Sequence, residues 1–192
     1  MKITPEIAAQ VQQMVLYKDA DILIINKPAG LAVQGGSKVS KHLDGMLPAL
    51  QMEAKEPPRL VHRLDKDTSG VMVLARHVGA AAQLQRGFAN KTIRKMYLAL
   101  VVGVPAPYAG EIQSKLDKLV RAQDSREMVR SVEEEGKIAI THYRTRDHLA
   151  KKMALVELEP ITGRTHQLRV HMAELGCPIL GDGKYGGAEA HL

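Results

Sequence analysis

The stretch KMALVELEP, residues 152–160, sets Ala154, Val156 and Leu158 in alternation with charged neighbours. A repeat of two is the signature of an extended strand with one face in a core and the other in water, so this chain must build at least one half-buried sheet. Further strands follow the same logic. IAITHYRTR precedes it, and the apolar run IRKMYLALVVGV (93–104) is the clearest strand, ending at Pro105. DILIINKPAG gives a buried strand at Ile22–Ile25, broken by Pro28 and Gly30, and GVMVLAR (70–76) gives another. Segments near 110–116, 118–123 and 127–132 read as shorter charged strands or hairpin arms.

Helical periodicity is confined to short stretches. Residues 5–16 (PEIAAQVQQMVL) carry Pro5 in a first turn, 77–90 place Ala81, Leu84 and Phe88 on one face, and a short helix is expected near 42–50. RTHQLRVHMAELG (164–176) reads as a helix closed by Gly176. The run Glu133–Glu135 with Gly136 reads as a solvated turn. This order of elements predicts an α+β fold, a mixed, mainly antiparallel sheet with flanking helices, in a single domain over 1–192.

Composition narrows the partners. Lys and Arg number 27 against 21 Asp and Glu, a net +6, which favours an anionic ligand with nucleic acid first. Aromatics make up only 3%, against folds that stack bases on several exposed rings. Such a chain would hold nucleic acid mainly through Arg, Lys, His and backbone. Cys177 is the single cysteine, in an apolar GCPIL, and reads as a packed thiol. It excludes an internal disulfide framework and a cysteine-based zinc site, and a reducing, cytoplasmic setting fits it. The first residues, with Glu6 and no apolar core, do not read as a signal peptide, and no apolar run approaches the length of about 18 residues that a membrane span needs. A soluble monomer without membrane contact is expected.

No GxxxxGK[ST], GxGxxG or GxSxG is present, so phosphate-cradling loops and a serine nucleophile elbow have no sequence support. The glycines of GDGKYGG (181–187) follow no strand-to-helix pattern. Asp65, Asp67, His62, His166 and His171 raise the question of a metal. On a helix, His166 and His171 would lie about 140° apart, and Lys66 sits beside both carboxylates, the wrong charge for a divalent ion. No metal is expected. What remains is RLVHRLDKDTSG (59–70), a carboxylate among Arg59, His62, Arg63 and Lys66. Cations keep a carboxylate ionised, fit to be a nucleophile, a base or an electrostatic stabiliser. Composition alone favours a salt-bridged surface loop instead.

RLVHRLDKDTSGVMVLAR resembles the HRLD signature of pseudouridine synthases of the RluA type. NKPAGLAVQGG resembles that family's NKP-G motif, KMYLALVVG its tyrosine-bearing strand, and PITGRTHQLRVHMAELGCPILGDGKYG its TGR-HQ-R-H motif. The four occur in family order between residues 26 and 187. Gly35-Gly36 and the charged hairpin before EGK (135–137) are more similar to the RluC branch, which acts on large-subunit ribosomal RNA.

The resemblance implies an isomerase that converts uridine in RNA to pseudouridine without a cofactor, breaking N1–C1′ and joining C1′ to C5. It makes Asp65 the catalytic carboxylate, either attacking C1′ or assisting departure of the uracil anion. Asp67 is then structural, holding its turn through Thr68 and Ser69. Tyr97 matches the tyrosine that packs on the target base, Arg169 the arginine that pairs with the aspartate, and Leu168 the apolar contact to the uracil face. Arg63 resembles the side chain that fills the gap left by the flipped uridine, a movement required because C1′ and C5 cannot be reached inside a stack. Arg164 and His166 are expected at the RNA, with His171 as a phosphate or structural contact. His62 is expected to orient the loop, and Lys27 to pack rather than touch RNA. Lys115, Lys118, Arg121, Arg126 and Arg130 fit either an RNA-facing arm or a solvated hairpin.

RluC-type members carry an N-terminal S4-like RNA-binding domain, whereas 20 residues precede Asp21 here. That domain and a last C-terminal strand segment are expected to be absent. The alternative reading is an RNA-binding fragment without catalytic activity.

Overall fold

Thr4 accepts a hydrogen bond from the Ile7 amide at 3.4 Å, and Pro5 fills the first turn, so α1 (Pro5–Gln12) starts where the sequence predicts. It ends four residues early. In this computed structural model, which describes residues 2–36, 40–120, 127–133 and 135–191, Val15–Lys18 leave the helix to form strand β1. The helical pattern of 5–16 loses to a ladder, because β2 (Ile22–Lys27) offers pairing at Val15↔Ile25 and Lys18↔Leu23.

The chain divides into two compact units, Met1–Ile93 and Arg94–Leu192. In the first, α2 (Leu43–Met46) runs into a 3-10 turn at Leu47–Leu50, followed by the two-residue β3 (Arg59–Leu60), β4 (Gly70–Ala75) and α3 (Val78–Ala89). The strands form a sheet in the order β1-β2-β4-β3, every pair antiparallel. Alternation fixes the register: Leu23 faces Leu74, Ile25 faces Met72, and all four are fully buried. Val11, Leu43, Met46 and Leu50 from the helical turns are buried too. Truncating such a side chain to alanine costs about 2–5 kcal/mol. His77 caps α3 by accepting the Ala80 amide, and Ala80 and Ala81 pack on Ala75, with Val61 and Leu84 alongside.

The second unit contains β5 (Tyr97–Val102), β6 (Ala109–Val120), β7 (Glu127–Val132), β8 (Lys137–Leu149), β9 (Met153–Pro160) and α4 (Gln167–Glu174). Its sheet order is β5-β9-β8-β6-β7, again antiparallel throughout. Mainly antiparallel pairing is thus as expected, and all pairs between these strands are antiparallel. Ala154, Val156 and Leu158 point inward as their alternation requires, joining Val101, Tyr143, Met172 and Cys177 in one core cluster. Cys177 is a buried free thiol whose pKa burial pushes up, as expected of a packed cysteine.

Three boundaries differ from expectation. β5 begins at Tyr97 rather than 93. The two short arms near 110–116 and 118–123 are one strand, β6, because it pairs with β8 up to Leu116 and with β7 from Lys115 onward; residues 121–123 lie outside the described residues. α4 starts at Gln167, not 164, for a reason found in its preceding loop. After α4, Gly176 takes φ +74, the left-handed turn that favours glycine, and the chain runs back along β5. Val102 N–H donates to Pro178 O at 2.9 Å, Leu180 N–H donates to Leu100 O at 2.8 Å, and Val101 bridges Ile179.

Candidate active site

In the first unit, the Asp65 segment is a turn suspended between two anchors. Leu64 is buried, and His62 accepts the Val73 amide on Nε2 at 3.0 Å. That bond makes Nε2 the acceptor of a neutral ring and ties the loop to β4. The His62 ring also lies 4.8 Å from Phe88 of α3. His62 is therefore the orienting residue that the sequence suggested. The Thr68 amide donates to the Asp65 carbonyl at 3.2 Å, closing residues 65–68 into a β-turn. The main chain closes it, not the Asp67 side chain, contrary to the expectation that Asp67 would hold it through Thr68 and Ser69. Gly70 then enters β4 at φ +131, a conformation that a side chain rarely adopts.

Lys27 is fully buried, so packing is the correct expectation, but its ammonium does more. Nζ donates to the carbonyls of Pro28 (2.8 Å), Leu31 (2.8 Å) and Lys66 (3.0 Å). It pins the NKPAG loop to the turn that carries Asp65. Burial pulls the Lys27 pKa below 10.5, and the nearby carboxylates of Asp67 and Asp65 act in the opposite sense. This is where Asp67 has its structural effect, as a negative charge beside a buried cation. Asp65 itself is half-buried, and Arg63 is exposed on the same segment.

In the second unit, Tyr97 opens β5 opposite Leu158 and is half-buried against the core cluster, with Leu168 of α4 packed on the same cluster. Arg169 forms a two-point salt bridge with Asp182, Nε to Oδ2 and Nη2 to Oδ1, both 2.7 Å. Burial raises the Asp182 pKa, yet the Arg169 hydrogen bonds and charge, with the amides of Tyr185 and Lys184, hold it below the ordinary carboxylate value. The Tyr185 ring lies 4.8 Å under the Arg169 guanidinium, and its hydroxyl is 2.6 Å from His166 Nδ1. So Arg169 and His166 meet through Tyr185. Neither Asp182 nor Tyr185 was singled out from sequence; they sit in GDGKYGG, whose glycines announced only a loop. The signal available was an acid three residues before an aromatic in a glycine-rich turn.

The loop before α4 is held by Gln167, 97% buried. Its Oε1 accepts from Thr162 Oγ1 (2.7 Å) and from the Arg164 amide (3.0 Å), while Nε2 donates to Ile140 O and Thr141 Oγ1. These bonds keep residues 162–165 out of the helix and delay its start. His166 caps α4 at φ +53, the left-handed region. With His166 outside the helix, the angle argued for His166 and His171 on one helix does not apply. His171 is fully buried with Nδ1 2.9 Å from Thr141 Oγ1 and Nε2 3.1 Å from Ser114 Oγ; burial pushes its pKa to about 4. It is a neutral structural residue, not a phosphate contact.

Arg164 is exposed, with Nε donating to Ile138 O at 3.0 Å. It lines a groove of about 580 Å³ together with Lys118 and Lys137 and the acids Asp117 and Glu135, with the buried Leu116 and Val129 also in its lining. On the adjoining hairpin, Lys115 donates to Glu133 O, and Arg130 stands opposite Asp117; Arg121 and Arg126 lie outside the described residues. Among the described residues, no group of three or more His, Cys, Asp or Glu side chains could hold a metal ion.

A family model described as RNA pseudouridylate synthase matches residues 21–174. The chain is 42% identical over 175 residues to the ribosomal large subunit pseudouridine synthase C of Rickettsia bellii, which covers 91% of this chain and 57% of that protein. It is 43% identical over 194 residues to RNA pseudouridine synthase 4, mitochondrial, of Arabidopsis thaliana, covering 90% of this chain and 40% of that one. The chain thus spans about half the length of the curated relatives it matches. Among solved structures, human RNA pseudouridylate synthase domain containing 4 superposes with a TM-score of 0.79 at 38% identity, over 94% of this chain and 71% of that one. Since the family match begins at the NKPAG strand and runs through both the Asp65 turn and helix α4, the chain belongs to the RNA pseudouridylate synthase family.

Proposed function

We propose that this protein isomerises uridine to pseudouridine in RNA, with large-subunit ribosomal RNA as its substrate. The observation that carries the reading is the Asp65 turn: a half-buried carboxylate on a loop held at His62, at Leu64 and at the Lys27 ammonium, in a segment matched by the family model. Such anchoring is what a reacting carboxylate needs, since a displacement of about 1 Å can cost 100-fold in rate. Asp65 acts on the ribose of a flipped uridine; N1–C1′ breaks with its electron pair left on N1, the uracil turns, C5 bonds to C1′, the C5 proton passes to solvent, and N1 takes up a proton. No cofactor enters the balance. Tyr97 and Leu168 pack on the base, Arg169 supplies positive charge to the reaction, and Arg63 fills the gap in the RNA stack. Arg164 and His166, with the lysines of the groove, meet phosphates. The protein acts as a monomer, and its buried Cys177 suits the reducing cytoplasm.

Tritium release tests this. Large-subunit ribosomal RNA from cells lacking their own synthase, labelled at uridine C5, should lose tritium with wild type and none with Asp65→Asn, while RNA affinity stays within about threefold because phosphate contacts dominate binding. Turnover by Asp65→Asn near the wild-type rate refutes the role of Asp65. Equal RNA binding by wild type and Asp65→Ala, with turnover by neither, would make the protein an RNA-binding module instead.

A further inference from the structure

We propose that Asp182 is the positioning residue for Arg169, fixing by its two-point bridge which edge of the guanidinium faces the reaction. The inference rests on the role proposed above for Arg169. A guanidinium has five N–H donors in one plane. Asp182 takes the Nε and Nη2 edge with both bonds at 2.7 Å, which sets the plane and leaves the Nη1 edge for other acceptors. The Tyr185 ring at 4.8 Å covers one face and opposes rotation out of that plane.

Asp182 is itself fixed. Its side chain is 6% exposed, and Oδ1 accepts the amides of Lys184 (3.2 Å) and Tyr185 (3.4 Å). Its own amide donates to Ile179 O at 3.0 Å, and its carbonyl accepts the Gly186 amide at 2.9 Å. The same turn holds Tyr185, whose hydroxyl receives the Val129 amide at 3.2 Å. One rigid turn therefore grips Arg169 by an edge and by a face.

Asp182→Asn keeps an oxygen for the two amides, and so the turn, while removing the charge and one acceptor. Single-turnover tritium release from large-subunit ribosomal RNA transcribed with C5-tritiated uridine should fall about 10- to 100-fold, with the RNA dissociation constant within about threefold of wild type. In an Arg169→Lys background, where no two-point bridge can form, adding Asp182→Asn should cost less than about twofold. An unchanged rate in the single variant, or the same loss in both backgrounds, overturns the proposal. Arginine side-chain NMR supplies a readout independent of turnover. The Arg169 Nε–H signal, identified by its absence from Arg169→Lys, should be sharp and slow to exchange in wild type and broadened in Asp182→Asn. If wild type releases no tritium, a broadened signal retains the fixing of Arg169 and places the failure with the proposed function. An unchanged signal refutes the proposal outright.

Discussion

Replacing Lys27 by methionine tests how the Asp65 turn is supported. The side chains are near in volume, so the change removes a buried ammonium without opening a large cavity. Three carbonyls, those of Pro28, Leu31 and Lys66, lose their donor at 2.8, 2.8 and 3.0 Å. Charge-assisted hydrogen bonds contribute about 1.5–3 kcal/mol each, a gross loss of roughly 5–9 kcal/mol. Against this stands the cost of keeping an ammonium out of water, several kcal/mol, which the variant no longer bears. The net expectation is a destabilisation of about 3 kcal/mol, a fall in Tm of about 6–12 °C for a chain of this length. Urea unfolding followed by circular dichroism at pH 7 measures it. The amide of Thr68, bonded to Asp65 O, should also exchange faster with solvent. The pH dependence supplies a second reading. Burial holds the folded pKa of Lys27 below 10.5, so the unfolded chain binds more protons between that lowered value and 10.5. Wild type should therefore gain stability relative to Lys27→Met as pH rises through that window. A variant within about 0.5 kcal/mol of wild type, the range of a substitution that breaks no special contact, with unchanged Thr68 exchange, would refute the clamp.

Three further outcomes follow from other contacts. His171, with a folded pKa of about 4 against 6.5, stabilises the second unit fully above pH 6.5, and that contribution should be lost as pH falls towards 4. The amplitude is about 3 kcal/mol, and His171→Gln should flatten the dependence of the urea midpoint between those limits. His62→Ala leaves the Val73 amide without its acceptor and strips the contact with Phe88, so unfolding should show a loss of about 1–3 kcal/mol with faster Val73 exchange. Gln167→Ala should cost about 2–4 kcal/mol by leaving the Thr162 hydroxyl and the Arg164 amide without their acceptor, and tritium release should slow because the start of the Arg169 helix is no longer fixed.

The parts of the fold that could be read from sequence are those set by local pattern. β9 follows from its alternation, α3 from its apolar face, and Gly176 from the rule that glycine ends helices. The misread parts depend on partners distant in the chain. Nothing local stops α1 at Gln12; the pairing of β1 with β2 does. Gln167 delays α4 by bonding to Ile140 and Thr141, 26–27 residues away. The site divides in the same way. Motif resemblance points to Asp65, Tyr97 and Arg169, and local context marks Lys27 and His62 as structural. Asp182 was missed because its part depends on a side chain thirteen residues earlier, brought to it by the turn after α4.

The return of residues 178–180 along β5 has a consequence for solubility. β5 is an outer strand of its sheet, and Leu98 and Leu100 remain 68% and 48% exposed on it. An open, apolar sheet edge invites another chain to add a strand. By bonding to Leu100 O and Val102 N, the polypeptide blocks part of that edge with its own backbone. A variant in which this segment peels away would be expected to self-associate through β5 before it loses its core.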